Sequence, residues 1–95
     1  MEQDDGLDRA ILTKLSEIEN TLQEGDSRLV QPHIEGQHVE NPLIVPGYDH
    51  DQIDRRLRLL LQRGLIHTHA NEDPLIGIFF SGLTDTGRRA LRASH

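Results

Sequence analysis

Ninety-five residues with a formal net charge of −6, 35% apolar side chains and no cysteine set the limits. A chain this long buries roughly 60–65% of its unfolded surface and supports one core, so residues 1–95 are expected to form a single domain with residues 1–6 frayed. The lack of cysteine excludes disulfide staples, thiolate nucleophiles and every Cys-containing zinc site, and two Phe, one Tyr and no Trp leave the core to Leu and Ile.

The first expected element is a helix over residues 7–22, where Leu7, Ile11, Leu15, Ile18 and Leu22 recur at helical spacing in a narrow stripe. Asp4 and Asp5 suit its N-terminal cap and dipole, and Gly25 stands where such a helix would stop. Leu12 falls off the stripe, which places it under a loop or on a partner surface. Residues 26–48 lose the helical period, and Pro32, Gly36, Pro42, Pro46 and Gly47 punctuate short extended pieces. The expected strands there are residues 28–31 and 43–45. Asp49 followed by Gln52 has the form of a capping box. A long helix follows, with Ile53, Leu57, Leu60 and Leu61 inward and Arg55, Arg58 and Gln62 outward, Asp51 beside them. Gly64 closes it and Leu65-Ile66 opens a strand. The chain turns at Asn71-Glu72-Asp73-Pro74 and returns through residues 76–83 as a hairpin. Strict alternation puts Ile76, Ile78 and Phe80 on one face of the returning strand and Gly77, Phe79 and Ser81 on the other. Thr84 or Asp85 then caps a last helix containing Ala90 and Leu91.

The run Leu57-Arg58-Leu59-Leu60-Leu61-Gln62-Arg63-Gly64-Leu65-Ile66, followed by a hairpin and Leu83-Thr84-Asp85-Thr86-Gly87, resembles the signature of winged-helix domains, shared by many bacterial transcription regulators. More narrowly, Pro46-Gly47-Tyr48 before the long helix and Gly87-Arg88-Arg89-Ala90-Leu91 after the Leu-Thr pair look like an uncharacterised phage- and prophage-associated winged-helix family. The resemblance covers about half the chain. It departs at Arg55-Arg56, where that family usually has Tyr-His, and at Asp85-Thr86, where it has Trp-Glu. It implies an α+β fold: helix, short strands, long helix, two-stranded wing and C-terminal helix. A helix-turn-helix also needs a supporting helix before the long one, which here could only be residues 36–41, or be missing.

Charge is uneven along the chain. Residues 1–26 carry eight acids and two bases, residues 27–48 two acids and one base, and residues 49–95 six acids against seven arginines. Net acidity opposes a nonspecific nucleic-acid coat, because phosphate binding is driven by counterion release. Arginine, however, holds phosphate or a guanine edge with two donors, and glutamine matches adenine. The expected function is therefore double-stranded DNA binding by a dimeric transcription regulator. Arg55, Arg58 and Gln62 would read bases, and Arg28, Arg56 and Arg63 would touch phosphate. The alternative is a protein-interaction module using the acidic first helix with Leu12, Leu59 and Phe79, favoured by the acidic tip Asn71-Glu72-Asp73.

Six histidines include His67 and His69 on one side of a strand, with His33 and His38 elsewhere, a pattern without the further spaced ligands of a zinc site. The chain holds no Gly-rich phosphate loop, nucleophile elbow or His-Glu-x-x-His run, so neither an enzyme, a metal nor a cofactor is expected. The opening Met1-Glu2-Gln3-Asp4-Asp5 lacks the regions of a signal peptide and no apolar run approaches spanning length, which makes the cytoplasm the expected location.

Overall fold

The computed structural model of the chain describes residues 5–34, 36, 38, 41–68 and 77–93. Its elements in order are α1 (Asp5–Glu19), β1 (Arg28–Pro32), β2 (Pro42–Leu43), α2 (His50–Gln62), β3 (Ile66–Thr68), β4 (Ile78–Leu83) and α3 (Asp85–Ala93). The class is α+β, with a four-stranded sheet ordered β2-β1-β4-β3. Strand β4 runs antiparallel to both its neighbours, and β2 runs parallel to β1.

Helix α1 is displaced towards the N-terminus relative to expectation. Asp5 is already helical, and the expected cap at Asp4 lies outside the described residues. The helix stops at Glu19 because Ile18 O takes both the Thr21 hydroxyl at 2.7 Å and the Thr21 N–H at 2.9 Å, tightening the ladder to three-residue steps. Gly25, with φ +86°, therefore serves a separate turn in which Asp26 and Gln23 bond each other twice. Leu12 is a correction: it is 3% exposed and belongs to the core, not to a partner surface. Helix α1 packs on β4, α2 and α3 at once, so its buried arc is wider than the stripe. Leu7, Ile11, Leu12 and Leu15 join Val30, Leu43, Ile53, Leu57, Leu60, Ile66, Ile78, Phe80 and Leu83 in one apolar cluster. Truncating such a leucine to alanine typically costs about 2–5 kcal/mol.

Strand β4 shows how alternation is broken on purpose. Phe80 pairs with Thr68 and Gly82 with His67, so Ser81 is an extra residue, a bulge in β4. Without it, Leu83 would share a face with Phe79; with it, both Phe80 and Leu83 point into the core. The adjacent Gly82 has φ +144°. Ile78 and Phe80 share the buried face as expected, while Ile76 and the turn at 71–74 lie outside the described residues.

The ends of α2 follow from single residues. Asp49 and Gln52 form the expected capping box: Asp49 Oδ1 accepts Gln52 N–H at 2.9 Å and Gln52 Oε1 accepts Asp49 N–H at 3.0 Å. At the other end Gly64 adopts φ +79°, its N–H donates to Leu61 O at 3.1 Å and Leu65 N–H to Leu60 O at 3.0 Å. That pair of bonds is a Schellman stop, which requires the left-handed residue glycine supplies. The stop is welded to α3 by Thr84. Its hydroxyl donates to Gly64 O at 2.6 Å and accepts Gly87 N–H at 3.0 Å, while its own N–H donates to Leu65 O at 3.1 Å. Thr84 is thus the cap of α3. Gly87 is small because a Cβ there would stand 2.1 Å from Leu65 O. The Leu-Thr-Asp-Thr-Gly run is accordingly a packing device that joins the end of α2 to the start of α3.

Between β1 and α2, the described residues contain no helix. Gly36, His38 and Asn41 are non-helical and the remainder of 36–41, apart from these, is outside the described residues. The second expected strand is shorter and earlier than residues 43–45, because Gln31 N–H and His33 N–H donate to Asn41 O and Leu43 O and the run then turns at Pro46-Gly47. Among the described residues no helix is long and apolar enough to cross a membrane.

Candidate nucleic-acid interface

Helix α2 turns Ile53, Leu57 and Leu60 into the core and leaves the opposite side outward. An open groove of about 690 Å³ runs along that side, lined by Leu7, Gln52, Leu61 and by Arg55, Arg56, Arg58, Leu59 and Gln62. Two of the three arginines that line it are met by carboxylates from beside the groove, Arg56 by Asp8 and Arg58 by Asp54. Arg55 and Gln62 are exposed, as the helical period requires, and Leu59 beside them is half-buried.

The six residues expected to meet DNA are not all brought together. Arg55, Arg56, Arg58 and Gln62 share the groove. Arg63 is exposed at the C-cap of α2, next to Gln62, with its backbone N–H donated to Leu59 O. Arg28 is separate: it stands at the start of β1 in another recess with Lys14, Glu17, Thr21 and Asn41, and Nη2 donates to Thr21 O at 3.5 Å. Arg56, expected on phosphate, is turned towards α1. Its Nε and Nη2 donate to the two oxygens of Asp8 at 2.8 and 2.6 Å, with side chains 22% and 17% exposed. Forty-eight residues separate this pair, so no local pattern announced it.

Arg58 is half-buried and held by Asp54, whose Oδ2 accepts Nε at 3.0 Å; Asp54 Oδ1 accepts Gly77 N–H at 2.9 Å. The i,i+4 spacing of Asp54 and Arg58 is visible in the sequence; the second bond to the return strand is not. Three more arginines are engaged or displaced from this side. Arg88 of α3 donates to Glu19 Oε2 at 2.7 Å, an oxygen that also accepts Leu83 N–H at 3.0 Å. Arg89 and Arg92 lie exposed on α3. Among the histidines, His67 is exposed and His69 lies outside the described residues. Among the described residues no group of three or more His, Asp or Glu is placed to hold a metal.

The fold and this surface define a small α+β protein of three helices and a four-stranded sheet with an arginine-lined helix on its outside. Comparison with known proteins finds no matching family model, no matching curated protein and no matching solved structure.

Proposed function

We propose that this chain is a winged-helix DNA-binding protein, a transcription regulator of bacterial or phage type, which lays the outer side of α2 in the major groove. The observation that carries the reading is the placement of Arg55, Arg58 and Gln62 along the outward side of one helix, with Arg55 and Gln62 exposed. Arginine and glutamine are the side chains whose donors match guanine and adenine edges. The element order and the sheet order β1-β4-β3 support the winged-helix assignment, with β3 and β4 as the arms of the wing and β2 standing in the segment before the long helix. Arg55, Arg58 and Gln62 read bases and Arg63 contacts phosphate. Arg28 and Arg56 take no part in that contact, Arg28 because it lies in another recess and Arg56 because it faces Asp8. A lone module with so few contacts gains specific affinity by acting as a dimer on paired half-sites.

Anisotropy with labelled duplex DNA over a salt series tests this. Affinity should fall linearly in log–log form, Arg63→Ala should reduce the slope by about one, and Arg55→Ala should cost about 1–3 kcal/mol and relax the sequence preference. Absence of salt-dependent binding in 20–50 mM salt, roughly where electrostatic affinity is greatest, refutes it.

A second reading, a protein-interaction module, is favoured by the half-buried Leu59 in the groove and by Leu29 paired with Phe79 across the sheet, both half-buried. Light scattering that finds a tight oligomer, together with no DNA affinity at any salt, supports this second reading against the first.

A further inference from the structure

Helix α1 meets α2 on one side only. Asp8 holds Arg56 there, and at about 3.6 residues per turn Ala10, Lys14 and Glu17 stand roughly opposite Asp8, on the side turned away from α2. Along that side runs a trough whose other wall is the chain around β2. It has two recesses that meet at Lys14, which lines both. The first, about 370 Å³, lies between Ala10 and Thr13 on the helix and Ile44, Val45 and Pro46 across from it. The second, about 290 Å³, lies between Glu17, Ile18 and Thr21 and the pair Asn41-Pro42. Ile44, in the wall of the first, is 54% exposed and is the one large apolar side chain exposed among the described residues. A lone exposed aliphatic is ordinary on a protein surface. This one shares its trough with two exposed, opposite charges, Lys14 and Glu17, which stand three residues apart on α1 and yet form no ion pair with each other or with any other described residue.

We propose that this side of α1 is a two-fold contact between two copies of the chain, with the two α1 helices antiparallel and the axis passing between Lys14 and Glu17. The charge pattern selects a second copy as the occupant. Rotation about that axis lays Lys14 on the partner's Glu17 and Glu17 on the partner's Lys14, so the two charges left over within one chain are both met in the pair. In a chain of net charge −6 an arbitrary face brought onto its own copy repels; a face with one cation and one anion disposed about an axis does not. The apolar part of the trough obeys the same axis. At about 1.5 Å per residue Ala10 and Thr21 lie each roughly 8 Å from it, in opposite directions. The rotation therefore carries Ile44, which stands across from Ala10, over the partner's second recess, where Ile18 and Pro42 offer it apolar contact. Because each copy presents the same patch, the assembly closes at two. The outward side of α2 stays uncovered in both copies, since α2 lies on the Asp8 side of α1. Use of the pair on one duplex rests on the DNA-binding reading above; the contact itself is drawn from α1 and the chain around β2.

Sedimentation of the full chain over a concentration series tests the contact. At about 100 μM the wild-type chain should have twice its mass of 10.8 kDa. Lys14→Glu sets like charges together at both pairs, as does Glu17→Lys, and each should weaken dimerisation about tenfold or more. The double variant Lys14→Glu/Glu17→Lys exchanges the two charges and should recover most of the lost affinity. Ile44→Asp should give a monomer. All of these positions are exposed, so the circular dichroism of every variant should remain that of the wild type. A wild-type chain that stays at 10.8 kDa at that concentration overturns the proposal. So does a dimer indifferent to Ile44→Asp and to both charge reversals, or a double variant that dimerises no better than the single ones. Duplex affinity measured by anisotropy on the same chains keeps the two readings apart. A dimer with no salt-dependent affinity for any duplex overturns the DNA reading and leaves the contact standing, and a monomer that binds duplex does the reverse.

Discussion

Removing the Asp8–Arg56 pair should cost stability without touching the salt dependence of DNA binding. The pair is bidentate, at 2.8 and 2.6 Å, and its side chains are 17% and 22% exposed, so about four-fifths of each is out of water. Exposed pairs contribute about 0.2–1 kcal/mol, and breaking a fully buried one costs about 3–5 kcal/mol by leaving a charge uncompensated. Four-fifths burial with room for water to reach the remaining charge puts each single substitution, Asp8→Ala or Arg56→Ala, at about 2 kcal/mol. The double variant, which strands no charge, should lose about 2.5 kcal/mol, leaving a coupling of about 1.5 kcal/mol. Urea unfolding of the four chains measures it, and each single variant should melt roughly 8–16 °C lower. A coupling below about 0.3 kcal/mol would mean that the helices are held by apolar contact alone. A reduced salt slope in Arg56→Ala would return this arginine to the phosphate backbone and refute its structural assignment.

Two glycines in first helical turns should respond in opposite directions. Gly6→Ala in α1 meets nothing within 4 Å and should stabilise by about 0.5–1 kcal/mol, whereas Gly87→Ala in α3 drives a Cβ to 2.1 Å from Leu65 O and should destabilise by about 2 kcal/mol or more, both read by thermal unfolding. Equal effects would disprove the close approach of α3 to the end of α2. Gly77→Ala combines a left-handed φ of +88° with a 2.2 Å approach to Val30 O, and a loss of roughly 3 kcal/mol is expected in the same assay. Thr84→Ser keeps the hydroxyl bonded to Gly64 O and Gly87 N–H, so it should retain most of the stability that Thr84→Ala loses, about 1–2 kcal/mol; hydrogen exchange at Gly87 should rise only in the alanine variant.

The elements whose causes lie within a few residues were legible in the sequence. The Asp49–Gln52 box and the glycine stop at Gly64 are satisfied by neighbours in the chain, and the apolar period of α2 marks its buried side whatever packs there. The α+β class follows from those signals in succession. The end of α1 was misplaced because the apolar stripe runs on through Leu22, which stays packed against the core from a turn and not from the helix. Of the two places the stripe leaves for Leu12, burial and a partner surface, the structure shows burial, and it is burial against the core because a stripe records one packing partner while α1 has three.

At the candidate interface the sequence by itself determined which residues face outward on α2, since a helical period distributes Arg55, Arg58 and Gln62 without help from the rest of the chain. Only the tertiary structure decided what those arginines are joined to. Asp8 reaches Arg56 across 48 residues, and Asp54 reaches Gly77 across 23, through contacts that exist only once α1 and the return strand are packed beside α2. Periodicity assigns a side chain to a face; the charge it presents there depends on which carboxylate the fold carries to it, and that is a property of three-dimensional neighbours.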